Sequence, residues 1–199
     1  MTSDTGRFER AIAAIDAANA DDPVTIELHG HDRPKELAHA ELMTAWVRRL
    51  DPKATEAQLL AARAHHLRRW TLPRSDYPEG RAGYLRWRTA LKKQHAEEVA
   101  EILADAGYDA DTILVVQGIV RKEGLGAEPV VQVHEDALCL VFLETQLADL
   151  ADRLGDDHVV EVIRKTAAKM SPAGLAHAGE VPMSDGDRRL VERALAPPR

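Results

Sequence analysis

One cysteine in 199 residues, Cys139, rules out an internal disulfide, and its neighbours Leu138, Leu140 and Val141 mark it as a buried thiol acting as a small hydrophobe. Long apolar runs are also missing. The longest, near 137–143, is about seven residues, far short of the roughly 20 a membrane-spanning helix needs. The first ten residues are polar and of mixed charge, without a basic-then-apolar leader, so a cytoplasmic location and no membrane partner are expected. No serine sits on a strand-to-helix elbow, which leaves a Ser-His-Asp hydrolase triad without support. The glycines of EGLGAE follow one helix and precede another instead of opening from a strand, so they do not form a phosphate-cradling loop. There is no internal repeat and no low-complexity tract.

What is present is the composition of a folded globular chain, 45% hydrophobic and 30% charged, at a length that suits residues 1–199 as a single domain. Apolar residues recur at helical spacing almost throughout. The pattern predicts a first helix over 5–19, a second from Pro34 to about Leu50, a third over about 53–70, and a fourth over 82–106. A fifth runs from Asp109 or Asp111 through Val120, and a sixth, apolar nearly all round and therefore central, over 129–154. A seventh passes through Val159 and Ile163, and a last short one follows Ser184-Asp185. Only VTIELHGHDRP, near 24–33, alternates about a Gly30 turn, so at most a short β-hairpin interrupts an all-α fold.

Charge is unevenly placed. Residues 61–93 hold nine Lys/Arg against Asp76 and Glu79, a local charge of +7 in a chain of net −7. A globally acidic protein lacks the broad positive surface that nucleic acid requires, whereas a confined basic zone fits a small phosphorylated or carboxylated ligand. Arg69, Arg74, Arg81 and Arg88 are the candidates to hold such an anion, since guanidinium matches phosphate bidentately. The linker TLPRSDYPEGRAG between the third and fourth helices carries two prolines and two glycines.

Helical phase turns His39, His66 and His95 inward from three helices and places Asp136 on the buried sixth. Neutral imidazoles with a carboxylate are ligands for Zn, Mn, Fe or Ni, and helix bundles present them from facing helices. A buried aspartate also needs a compensating partner, whether a metal, a histidine or an arginine. His65 lies 100° from His66, and Glu135 the same angle from Asp136, so these two are expected behind the ligands, and Glu98, one turn beyond His95, is expected to fix that ring's tautomer. His29 and His31 flank Gly30 as a weaker H-x-H signal, and His134, His158 and His177 lack supporting context.

The order of His39, the AHHL segment, His95 and Asp136 within HEDALCLVFLE resembles the HD superfamily of all-α metal-dependent phosphohydrolases and a few iron oxygenases. No aspartate follows His65 or His66, so a histidine pair stands where that superfamily has His-Asp. RFERAIAAIDAAN, PKELAHAELMTAW, AARAHHLRRW, PRSDYPEGRAGYLRWRTALKKQHA and EDALCLVFLE together resemble the uncharacterised-domain family numbered 4202 over nearly the whole chain. These likenesses imply an HD-like helical bundle. The function expected from them and from the residues is a metal-dependent hydrolase of a small phosphorylated metabolite or nucleotide. An HD-type iron oxygenase and a non-catalytic binder of a small anion are the alternatives.

Overall fold

A computed structural model describes residues 4–28 and 30–196. The order is α1 (Asp4–Ala20), a two-stranded antiparallel hairpin of β1 (Thr25–Leu28) and β2 (His31–Pro34), α2 (Lys35–Leu50), α3 (Glu56–Arg63), α4 (Gly80–Ala106) and α5 (Ala110–Arg121). There follow α6 (Pro129–Thr145), α7 (Leu147–Leu154), α8 (Asp156–Ala167), α9 (Pro172–Ala176) and α10 (Asp185–Leu195). The fold is all-α, and the hairpin is the only sheet among the described residues. No described helix is long and apolar enough to cross a membrane.

Apolar faces meet in two clusters. One gathers Met43 and Val47 of α2, Leu140 and Val141 of α6, Ile163 of α8 and Val191 of α10. The other gathers Ile15 of α1, Leu60 of α3, Val99 and Leu103 of α4, and Val116 and Ile119 of α5. Helix α3 serves both, with Ala62 in the first cluster and Leu60 and Ala61 in the second. The expected centrality of α6 is evident in its buried face from Val131 to Leu143.

Three elements depart from the periodicity. Helix α3 begins at a reciprocal capping box, in which the Thr55 hydroxyl accepts from the Gln58 amide and the Gln58 side chain accepts from the Thr55 amide. It stops at Arg63 instead of continuing to 70, because His66 (φ 61°) and Arg68 (φ 48°) adopt left-handed backbone. The buried Asn19 side chain of α1 accepts from the Arg68 amide at 3.0 Å, so a tertiary bond replaces the helical one. The expected sixth helix divides at Gln146, and α9 forms where Ser171 caps the Gly174 amide. Between α3 and α4 the linker lies so close to α4 that a Cβ on Gly83 would sit 1.8 Å from the Pro78 carbonyl oxygen, so only glycine is accommodated there.

Candidate metal centre and basic cleft

Glu36 and His39 stand one turn apart at the start of α2, the spacing that puts two side chains on one helix face. Asp22 fixes this end of the helix, one carboxylate oxygen accepting from the Glu36 amide (3.0 Å) and the other from the Val24 amide (2.9 Å). The left-handed turn after α3 brings His66 to the same point. One donor atom from each of Glu36, His39 and His66 lies within 4.8 Å of the other two. The Nδ1 atoms of His39 and His66 are 3.4 and 3.3 Å from Glu36 Oε2.

The hydrogen bonding around this trio is incomplete in an informative way. The Thr145 hydroxyl donates to the Val141 carbonyl (2.8 Å), so its oxygen accepts the Nε2 proton of His39 at 3.1 Å. That tautomer leaves His39 Nδ1 as a lone pair facing a carboxylate oxygen. Glu36 Oε2 is itself buried without a hydrogen-bond partner. Burial above all, and then the Arg69 charge, hold the His66 pKa well below its ordinary value, so that ring is neutral at pH 7. The His39 lone pair and the unpartnered Glu36 oxygen face one another with His66 Nδ1 beside them, and a divalent cation satisfies such an arrangement. The donor set therefore fits a transition metal.

His95 borders the trio from α4, its ring centre 5.9 Å from that of His66. Its Nδ1 donates to the Leu67 carbonyl (2.8 Å), so Nε2 is a lone pair, buried and without a partner. Desolvation lowers its pKa to about 4, with the Leu67 bond opposing. Behind His66, the His65 ring stacks at 3.9 Å between ring centres, and His65 Nδ1 is 3.1 Å from His134 Nε2.

Of the trio, His66 lines a cleft of about 330 Å³ between α4 and α6, bordered by Arg69, Arg88, Lys122 and Lys169, with Glu135 the acid among them. Lys122 and Glu135 form a buried ion pair, and burial lowers the lysine pKa despite that partner. The Arg69 guanidinium lies 4.7 Å over the Trp87 ring, and the Trp87 indole is fixed by donating to the Leu72 carbonyl at 2.8 Å. Cys139 is buried in the same wall, its thiol pushed up to about 12 by desolvation, which leaves it a hydrophobe.

Of the expected ligands, His39 and His66 meet at one point and His95 adjoins them. Asp136 does not join them. One of its oxygens accepts from the Ser171 amide (2.8 Å) and Gln132 (3.0 Å), the other from the Ser171 hydroxyl (2.5 Å), and a Cβ on Gly174 would lie 2.5 Å from its carboxyl carbon. Its charge is met by hydrogen-bond donors, and its work is to hold the cap of α9.

Among the arginines, Arg69 and Arg88 border the cleft. Arg74 instead donates to the Tyr77 and Pro78 carbonyls, closing the linker, and Arg81 is exposed outside the cleft lining. Glu98 takes a hydrogen bond from Gln94 (2.9 Å) and borders a separate hollow with Asp21 and Arg68, so the Leu67 carbonyl, not Glu98, sets the His95 tautomer. Glu135 is taken by Lys122, and His65 supports His66 by stacking. The 100° phase separating His65 from His66 does not apply, because residues 64–68 are not helical, and both rings face inward. His31 is exposed at the hairpin, His29 lies outside the described residues, His158 is exposed, and His177 bonds Glu180.

Sequence reasoning missed Glu36, Lys122 and His134. For Glu36 the signal was present, a Glu-x-x-His at a helix start, the spacing by which helix bundles supply carboxylate and imidazole together. Lys122 lies outside the basic stretch, and nothing in the pattern marked His134.

These features define an all-α protein with a carboxylate–imidazole trio whose His66 lines a basic cleft. The chain belongs to the family described as Domain of unknown function (DUF4202), whose family model matches residues 9–191. Neither a curated protein nor a solved structure matches it.

Proposed function

We propose that this protein is a metal-dependent phosphohydrolase acting on a small phosphorylated molecule, with Glu36, His39 and His66 as the metal ligands and His95 beside them. The observation that carries this reading is the meeting of the Glu36 carboxylate with two imidazole nitrogens, with no proton to separate the Glu36 oxygen from the His39 lone pair. A divalent cation held there would polarise a phosphoryl oxygen and make a water molecule acidic near neutral pH. Arg69, Arg88 and Lys122 would bind the anionic group and keep it facing the trio. Thr145 and Leu67 orient His39 and His95, and the His95 Nε2 lone pair can accept a proton from an attacking or departing group. The likeness to the HD superfamily supports the same reading, with Glu36 supplying the carboxylate that Asp136 does not.

The composition of the trio favours one other reading. Two histidines and one carboxylate on one side of a metal are the ligand set of non-haem iron oxygenases. Elemental analysis of purified wild type against Glu36→Gln and His66→Ala, followed by phosphate release from a panel of phosphate esters, tests the proposal. Stoichiometric metal in wild type, absent from both variants, with metal-dependent phosphate release, is the expected result. Wild-type protein that cannot rebind Zn, Mn, Fe or Ni after chelation would overturn it, and iron with oxygen consumption in place of phosphate release would favour the oxygenase.

A further inference from the structure

Aromatic residues are scarce in this chain, three Trp, three Tyr and two Phe, yet Tyr84, Trp87 and Phe142 all border the basic cleft that His66 lines. Their roles differ. Trp87 is buried, one face covered by the Arg69 guanidinium, so it serves to pin that cation. Tyr84 is 44% exposed, and every other Trp, Tyr and Phe of the described residues is buried or half-buried. It sits 5.9 Å from Trp87, ring centre to ring centre, on the α4 wall. Leu138 and Phe142 face the cleft from the α6 wall, both half-buried. The apolar surface here is thus left partly open on both walls, next to the cations Arg88 and Lys169.

We infer that the cleft takes a phosphate monoester whose organic part is a flat aromatic ring, with the phosphate on Arg69, Arg88 and Lys122 and the ring between Tyr84 and the Leu138/Phe142 wall. This rests on the phosphohydrolase reading of the same site and narrows its substrate. A planar group suits this opening because a flat ring presents a whole face to each wall while its substituent reaches the cations. Offset or edge-on contact with Tyr84 adds to the area it buries.

The test is calorimetric titration of the full chain, stripped of metal so that no turnover occurs, with phenyl phosphate, n-propyl phosphate and inorganic phosphate. Phenyl phosphate is expected to bind roughly tenfold more tightly than n-propyl phosphate, a difference of the size one aromatic contact and its area supply. Tyr84→Ala, a change at an exposed position, is expected to erase that preference and to leave inorganic phosphate affinity unchanged. Arg88→Met is expected to weaken all three. Equal affinities for the two esters, or a preference that survives Tyr84→Ala, would overturn the ring assignment and leave the hydrolase proposal standing. Failure of all three anions to bind would overturn the anion cleft itself, and the inference with it.

Discussion

Two buried carboxylates, Glu36 and Asp136, are expected to respond to mutation in opposite ways. Asp136 accepts three hydrogen bonds, two of them from Ser171 at the cap of α9. Bonds to a charged acceptor contribute about 1.5 to 3 kcal/mol each, but the half-buried donors regain some water when released, so Asp136→Ala should cost about 3 to 5 kcal/mol. Glu36 Oε2 has no such donor. Glu36→Gln removes a buried charge and should leave the metal-free protein as stable as before, or more stable by about 1 to 3 kcal/mol. The gap between the two variants narrows when metal is added. A ligand at a hundred times its Kd stabilises the folded state by about 2.7 kcal/mol, an increment Asp136→Ala should keep and Glu36→Gln should lose. Urea unfolding of wild type and both variants, with chelator and with added Zn, reads both quantities in one experiment. An Asp136→Ala protein that loses the metal increment, beside a Glu36→Gln protein that retains it, would refute the ligand assignment.

Three further outcomes are expected. Desolvation lowers the pKa of His95 to about 4 and of His134 to about 3. The unfolded chain therefore takes up protons near pH 6.5 that the folded one refuses, and stability of the metal-free protein should fall as pH drops from about 6.5 toward 4, at about 1.4 kcal/mol per unit for each histidine. Urea midpoints at pH 7.5 and 5 check this, and His134→Asn should flatten the slope. Gly174→Ala, whose new Cβ must push into the Asp136 carboxylate, should lower stability by about 2 to 4 kcal/mol in thermal melts while leaving metal content unchanged. Arg69→Met should weaken inorganic phosphate binding by about tenfold, corresponding to the loss of one charge-assisted contact.

The helices were legible because apolar spacing is a direct consequence of burial, and α1, α2, α4 and α6 start near where their patterns start. The end of α3 was not legible, since 53–70 reads as continuous helix and only the Asn19 bond to the Arg68 amide, from a residue far away in sequence, diverts it. The site inherited that error. A helical wheel drawn through His65 and His66 separates two rings that the actual turn stacks together. Asp136 was rightly seen to be buried and in need of compensation, but the compensating group is Ser171, on a short element with no periodicity to announce it. Glu36, one turn before His39, was within reach of the sequence, whereas the pairing of Lys122 with Glu135 depends on how α5 ends against α6.

The left-handed backbone at His66, Arg68 and Lys122 bears on how this protein would answer selection for stability alone. A side chain in that conformation costs of order 1 kcal/mol that glycine would avoid. A screen that rewards thermal tolerance without asking for activity should therefore favour glycine at Arg68, whereas His66 and Lys122 border the cleft. At His66 the backbone relief would come at the loss of a ligand, and at Lys122 it would be outweighed by the buried Glu135 left without its partner, so the ion pair holds the cation in the cleft where backbone preference alone would discard it.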